Sequence, residues 1–553
     1  MNVNPVASLT DRRSWIGRLP LWLAIAAACL FIGLAAYRIE LPGLYFDEMI
    51  FADAAQGNLN AARVHLHLGP LPLLIMPYLG ALKAWIYVPI FRLLGVSAMS
   101  VRLPMILIAA ATLLILFLGM RRPMGGAWAA IVVWLLALDP ANIFPSRLDW
   151  GPTVLMHLFQ ASILALWFSY RDSPQLWKIG LISICCVLGF FDKFNFIWFV
   201  AAFVAAVPLC YPDSVKRLWV ASSKFTRWLA VILVVAGLGV ALGLILPIMQ
   251  FPSAGSVRAH LMQSWSEFQI ALSGIGVAEY VLGSAAGIIG SVPHRLVVTA
   301  AWLALACWVL PMSDANAREN RKNGLFCLLI GFFIFVQIVI TPQAGGPHHH
   351  SMLFPLPLLA SAFLARSLYD HFRTMNLSWI AGLTAGAAAA AAIYLFLVNV
   401  NNTMVYVSHF RNNSHYKPLW SPAIYSLSRY INDHGRDSQK IILVDCCLEQ
   451  LHVLAPKKVG RRIRDFWPAF KQLPKTRDEQ NAMLAHIFPE GRSLVVTFDA
   501  SKEAFPETRQ NFFALLSTHP ELNYRLVTEF WYGCEKIYEV YEVVRLPHQT
   551  ADQ

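Results

Sequence analysis

Charge is what this sequence has least of. Only 14% of its 553 residues are Asp, Glu, Lys or Arg, against about 25% in a soluble globular domain. The chain has no glycine-rich cradle that would hold a nucleotide on a soluble fold. It has neither H-E-x-x-H nor G-x-S-x-G, so the protease and hydrolase routes that need those patterns lack their residues. Its nine cysteines include no C-x-x-C and no paired Cys/His spacing suited to structural zinc. Internal repeats and low-complexity segments are missing as well.

What replaces charge is apolar surface. Hydrophobic residues make up 57% of the chain, and the mean hydropathy is +0.52. Runs such as Leu19–Tyr37, Leu229–Met249 and Ile380–Val400 reach the roughly 20 residues that cross a hydrocarbon core. The formal net charge is +12, but no patch of bases interleaved with aromatics points to nucleic acid. The bases instead fall where cytoplasmic loops of a membrane protein carry them. Arg12, Arg13 and Arg18 precede a first apolar run that is too long for a signal-peptide core and lacks a cleavage site after it.

Charge and hydropathy together give a topology. With the N-terminus inside, the basic segments at Arg121-Arg122, Lys216-Arg217, Arg318–Lys322 and Arg366–Arg373 all fall inside. The polar clusters Tyr45–Glu48, Arg147–Trp150, Asp192-Lys193 and Gly345–His350 all fall outside. Leu71–Leu94 is apolar, but it holds Pro72, Pro77 and Pro89. Counting it as a span would invert the basic loops, so it is expected to be juxtamembrane or re-entrant. The sequence after residue 400 changes character. Lys440–Asp445 and Ser493–Phe498 read as short buried strands and Arg477–Ile487 as a helix. The expectation is a mostly α, polytopic module over residues 1–400, followed by a small extracytoplasmic α/β domain over 401–553.

Several clusters could carry chemistry. Asp47 and Glu48 follow the first span and precede a short helical pattern. They suit an N-terminal first turn, and equally a base that deprotonates an acceptor hydroxyl at the membrane surface. Arg147 and Asp149 lie in a loop bounded by Pro145 and Pro152 and read either as a surface ion pair or as part of a site. Asp192 and Lys193 interrupt an apolar stretch, where ionisable groups are costly and have a partner or a task. They could pair with each other, or Lys193 could bind a phosphate as a point charge. His348, His349 and His350 cannot all reach one metal from a regular helix, so contact with phosphate or sugar hydroxyls is at least as good a reading. A divalent metal ion stays open as a cofactor. In the tail, Cys534 could pair with Cys446 or Cys447 in an oxidising compartment.

These segments in order resemble the lipid-donor branch of the GT-C glycosyltransferases, the protein O-mannosyltransferase-like and aminoarabinose-transferase-like enzymes. The resemblance covers Leu19–Leu397. It rests on Tyr45-Phe46-Asp47-Glu48, on Leu94-Gly95-Val96-Ser97 leading to Val101-Arg102-Leu103-Pro104, on Asp192-Lys193, and on His350 ahead of Leu353-Phe354-Pro355-Leu356-Pro357. It implies a polytopic transmembrane GT-C module of about 11–13 helices. It also implies an inverting transfer at the outer face from a polyprenyl-phosphate-linked sugar to a lipid, glycan or protein acceptor. By the same resemblance Asp47 is the base, Glu48 positions the acceptor or supports a metal, Lys193 binds the donor phosphate, and Arg102 supports the site. Leu68-Gly69-Pro70-Leu71-Pro72 lacks the charged residue usual before the paired prolines, and the histidine run replaces a basic-aromatic pair. Two other classes remain in view, a polytopic transporter and an inactive assembly subunit of envelope glycan synthesis. Polar clusters gathered at one face, rather than at the midplane of repeated broken helices, favour surface chemistry over transport.

Overall fold

A computed structural model describes residues 5–57, 64–149, 151–222, 254–341, 346–412, 415–502 and 505–546, with 224, 228 and 239 singly. The apolar run Leu229–Met249 apart from Gly239, residues Trp150 and Gly345, and the extreme ends lie outside the described residues.

The order of elements begins with helix α1 (Pro5–Ala36), α2 (Phe46–Ala55), strands β1 (Leu66–Leu68), β2 (Leu71–Met76) and β3 (Leu79–Gly80), and α3 (Leu82–Leu94). Helices α4 (Ala98–Met120), α5 (Gly126–Ala137), α6 (Pro140–Leu148), α7 (Val154–Asp172), α8 (Leu176–Asp192), α9 (Ile197–Cys210) and α10 (Pro212–Ala221) follow. Among the described residues six helices are long and apolar enough to cross a membrane. They are Arg18–Ala36 within α1, α4, and the segments Val292–Val309, Ala315–Val339, Pro347–Thr374 and Ser378–Arg411. Two bent pairs, α5 with α6 at 57° and α9 with α10 at 98°, raise the number to eight if each is one span.

Both bends have a local cause. Pro140 and Pro212 each open the second helix of a pair, where their missing N–H is not needed. Asp139 also accepts a hydrogen bond from the Ala141 amide at 2.9 Å, which caps α6. Leu107, Leu118, Trp302, Trp308, Phe332, Leu383 and Ile393 are exposed along the long helices. In a chain with so little charge, that surface is the face turned to lipid.

The proline-bearing stretch Leu71–Leu94 does not span. It supplies β2 and β3, which join β1 in a three-stranded antiparallel sheet, followed by the 13-residue α3, which at about 1.5 Å per residue is too short to cross. Its last strand is stitched to the end of α8. Leu79 bridges Lys193, and the Phe194 amide donates to the Tyr78 carbonyl at 3.0 Å. Gly80 sits so close to α8 that a Cβ there would lie 2.0 Å from the Phe191 carbonyl oxygen. Only glycine permits that approach.

The transmembrane helix Ser378–Arg411 leads into the C-terminal domain, a five-stranded sheet in the order β5-β4-β6-β8-β7. Strands β4 (Ile441–Leu443), β5 (Ile463–Asp465) and β6 (Gly491–Phe498) are parallel, with Ile441 opposite both Ile463 and Leu494. Strands β7 (Leu522–Tyr532) and β8 (Glu535–Arg545) form an antiparallel hairpin, and β8 pairs with β6. Alternation sorts the side chains into two cores. Ile441, Leu443, Leu494 and Val496 pack with Ile424, Leu427 and Ile431 of the helix Ala423–His434. Ile442, Val444 and Val495 face the other way, onto Leu484, Phe512 and Leu515. Three layers, helix on sheet on helix, are the result.

The β7-β8 hairpin is the element least visible in the sequence. Glu539 and Glu542 occupy buried positions of β8, where a charge breaks the expected apolar pattern. They are tolerated because Glu539 pairs with Arg509 and Lys536, and Glu542 with Arg492 and Arg525. Cys446, Cys447 and Cys534 are all free thiols. The tail cysteines therefore do not form the bridge to Cys534, and Cys446 and Cys447 contact each other instead.

Candidate active site

The connection from α1 to α2 is built around carbonyl oxygens that have no helical partner. Two fully buried arginines satisfy them. From α4, Arg102 Nη1 donates to the carbonyls of Ile39 and Pro42, both at 2.8 Å, and Nη2 donates to Gly43 at 3.2 Å. From α6, Arg147 Nη1 donates to the Tyr37 carbonyl at 2.7 Å, while Nη2 donates to Arg38 and Leu41. The Arg147 guanidinium also lies 4.4 Å above the Phe410 ring. A planar fork with five donors suits such a carbonyl-rich turn better than lysine would.

Glu48 completes this socket. Its two carboxylate oxygens accept from Arg102 Nε and Nη2 at 2.7 and 2.8 Å. One of them also accepts from the Tyr45 amide at 2.9 Å, closing the first turn of α2. Both oxygens are thus committed, and the side chain is 1% exposed. An isolated buried carboxylate would be costly, and this bidentate pairing is what makes it tolerable.

Asp47 comes one residue earlier and so faces about 100° away around the helix. It is half-buried, and among the described residues its carboxylate makes no hydrogen bond or ion pair. Burial pushes its pKa up to about 6. Lys193 and Lys83 pull against that rise, while Glu449 and Glu48 add to it. Adjacent carboxylates therefore differ completely: one is locked into the frame, the other is free beside two cations.

Lys193 follows the last residue of α8 and is 2% exposed. Its Nζ donates to the Gly151 carbonyl at 2.6 Å, which leaves two of its three donors for other partners. It does not reach back to Asp192. Asp192 is fully buried, and neither of its carboxylate oxygens has a hydrogen-bond partner among the described residues. Asp149 is taken elsewhere. It caps α7 through the Thr153 and Val154 amides, both at 2.9 Å, and pairs with Lys83 at 2.7 Å. The Lys83 ammonium also lies 4.9 Å from the centre of the Phe51 ring on α2.

Lys83 was not among the residues expected from the sequence. Its signal was present, as a cation inside an apolar stretch, which at membrane depth calls for a partner.

The histidine run packs over the same corner. Gly151 has φ +66°, and a Cβ there would lie 2.5 Å from His348 Cδ2. His349 Nδ1 lies 3.2 Å from Asn195 Nδ2, two residues beyond Lys193. His350 Nδ1 contacts the Gly346 carbonyl at 3.3 Å. His65, just before β1, and His67, within it, are both exposed. Among the described residues no three His, Cys, Asp or Glu side chains converge as metal ligands. The structure thus gathers Asp47, Lys193, Asp192, Asp149, Lys83 and the histidines at one end of the bundle, with Arg102, Arg147 and Glu48 beneath them as a frame.

The C-terminal domain covers this end. Trp420 stacks on Tyr45 with ring centres 3.9 Å apart. Gln450 Nε2 donates to the Leu44 carbonyl at 3.1 Å, and Gln56 Nε2 of α2 donates to Val453 at 3.2 Å. The Tyr425 hydroxyl donates to the Glu40 carbonyl at 2.9 Å.

The helical bundle, with its polar corner around the first loop and a small sheet-containing domain over it, has the fold of a solved membrane glycosyltransferase structure. Among solved structures it is similar to ArnT from Cupriavidus metallidurans. The apo-state crystal structure of that protein matches with a TM-score of 0.52 at 13% identity, covering 96% of this chain and 98% of that one. Its form bound to undecaprenyl phosphate matches with a TM-score of 0.50 at 14% identity, over 95% and 98%. No protein-family model matches the chain, and no curated protein matches it in sequence.

Proposed function

We propose that this chain is a membrane glycosyltransferase of the GT-C type that transfers a sugar from a polyprenyl-phosphate carrier to an acceptor hydroxyl at the outer face of the inner membrane. The observation that carries the reading is Asp47, a half-buried carboxylate that makes no hydrogen bond or ion pair among the described residues and feels the charges of Lys193 and Lys83. The neighbouring Glu48 is satisfied by Arg102 and the Tyr45 amide, whereas Asp47 is partly exposed and open to an acceptor. A carboxylate lifted to about 6 is ionised at neutral pH yet basic enough to accept a proton.

The reaction proposed on this basis is an inverting transfer. The acceptor oxygen attacks the anomeric carbon on the face opposite the phosphate, and its proton passes to Asp47. The new carbon–oxygen bond forms as the bond to the carrier phosphate breaks, which inverts the anomeric centre. The departing phosphate gains negative charge, and the role assigned here to the Lys193 ammonium is to stabilise it. Lys83 and Asp149 set the electrostatics behind the site, while Arg102, Arg147 and Glu48 hold the first loop in position.

Sidedness is supported by the bases. Arg121 and Arg122 end α4, whose other end carries Arg102, and Arg366 and Arg373 lie along the far half of the helix that follows the histidines. Under the positive-inside rule that far end is read as cytoplasmic, which supports an N-terminus inside and a C-terminal domain outside.

The test is transfer from a radiolabelled polyprenyl-phosphate-sugar pool by membranes carrying wild type or Asp47→Asn at equal protein level. Transfer that disappears in the variant supports the enzyme and its base. Equal transfer by both removes Asp47 from the mechanism.

A further inference from the structure

The loop that follows β4 brings two adjacent cysteines to the edge of the candidate site. Cys446 is buried and Cys447 half-buried, and their Sγ atoms are 2.8 Å apart, closer than two unbonded sulfurs ordinarily rest. Cys447 holds φ +69°, a left-handed conformation uncommon outside glycine, and this conformation accompanies the facing thiols. The next residues form the short helix Gln450–Leu454, whose Gln450 and Val453 grip Leu44 and Gln56 around α2. Both thiols lie close enough to Tyr45 to act on it electrostatically, and Cys447 is close enough to feel Asp47. A conformational change at Cys447 is therefore passed over a few residues to the helix that carries Asp47.

We infer that Cys446 and Cys447 form a redox modification site, a vicinal dithiol that closes reversibly to a disulfide and thereby shifts the first-loop helix. The effect on transfer rests on the reading of Asp47 given above, whereas the ring closure does not. The chemistry is ordinary thiol–disulfide exchange with a small or protein disulfide as oxidant. One thiolate attacks a sulfur of the oxidant, breaking its S–S bond, forming a mixed disulfide and releasing one thiol. The neighbouring thiol, on losing its proton, then displaces the second. The cysteines lose two electrons and two protons in all, and the oxidant becomes two thiols. Adjacent Cα atoms are about 3.8 Å apart, short of the usual separation of bridged cysteines, so such a ring is more reducible than a structural bridge. That property suits a reversible site in an oxidising compartment.

Trypsin isolates the pair cleanly, because the peptide Ile441–Lys457 contains both cysteines and no other. The full chain in detergent is treated with oxidised glutathione, then alkylated with N-ethylmaleimide and digested. The expected peptide is two hydrogens lighter, takes up no maleimide, and regains both sites after dithiothreitol. Cys447→Ser and Cys446→Ser give no lighter peptide. Ring closure should lower sugar transfer by about tenfold or more, as small displacements of a reacting group do. Dithiothreitol should restore it, and neither serine variant should respond. Two maleimides on the oxidised peptide, or glutathione held separately on each cysteine, would overturn the site. Closure with unchanged transfer would overturn its coupling to Asp47. Normal closure in a protein that never transfers sugar supports the dithiol and counts against the glycosyltransferase reading alone.

Discussion

Asp47 and Glu48 are neighbours in sequence, and replacing each by its amide should separate chemistry from architecture. Asp47→Asn removes a carboxylate that makes no hydrogen bond or ion pair among the described residues. Its pKa is raised on folding to about 6, so the contribution of its titration to stability is present at low pH and lost as pH rises through about 6. At neutral pH the ionised group slightly opposes folding, and the amide should leave stability unchanged or improve it. Loss of a general base should lower turnover by about 10²–10⁴-fold, or ~3–5 kcal/mol in barrier.

Glu48→Gln acts the other way. It leaves Arg102, fully buried, with three carbonyl partners and no counter-charge. Breaking such a pair costs about 3–5 kcal/mol, and the first-turn contact to the Tyr45 amide is weakened as well. Two assays distinguish the variants: sugar transfer from the labelled carrier pool, and the temperature at which the detergent-solubilised protein loses its monodisperse peak. Asp47→Asn should lose turnover at normal thermal stability, and Glu48→Gln should lose thermal stability. The wild-type rate should fall about tenfold per pH unit below about 6, as Asp47 takes up its proton. A Glu48→Gln protein of normal thermal stability that transfers no sugar, beside an active Asp47→Asn, would refute the assignment of roles.

Lys193→Ala should weaken donor binding by about 10–100-fold, the worth of one charge-assisted hydrogen bond to phosphate, and the KM for the carrier-linked sugar is the readout. Lys83→Met strands Asp149 as a buried, unpaired carboxylate and should destabilise the protein by about 3–5 kcal/mol. Adding Asp149→Asn should recover much of that loss in the same thermal assay, and no recovery would mean the pair is not coupled. Gly80→Ala places a methyl 2.0 Å from the Phe191 carbonyl oxygen, so it should separate β3 from Lys193 and reduce both folded yield and transfer.

Composition and periodicity were enough to determine the kind of molecule this is. A chain so poor in charge, with runs the length of a bilayer, has few options beyond a helical bundle in lipid, because every backbone group there must be satisfied within its own segment. Three prolines within Leu71–Leu94 and the basic pair at Arg121-Arg122 were likewise enough to exclude a span, and strands β4 and β6 announced themselves as short apolar runs. The hairpin β7-β8 did not, since its buried glutamates are matched by arginines and a lysine that only the folded sheet brings alongside. Apart from what the family resemblance implied, the roles of the charged residues were undecided in the sequence. Nothing local tells Asp47 from Glu48, or says that Arg147 turns to the carbonyls of the first loop, that Lys193 passes over Asp192 for Gly151, or that Asp149 takes Lys83. Secondary structure is fixed by neighbours along the chain, whereas the state of a buried charge is fixed by the nearest opposite charge or dipole in space. For these residues that partner lies on another helix, so only the tertiary structure decided which carboxylate was left free.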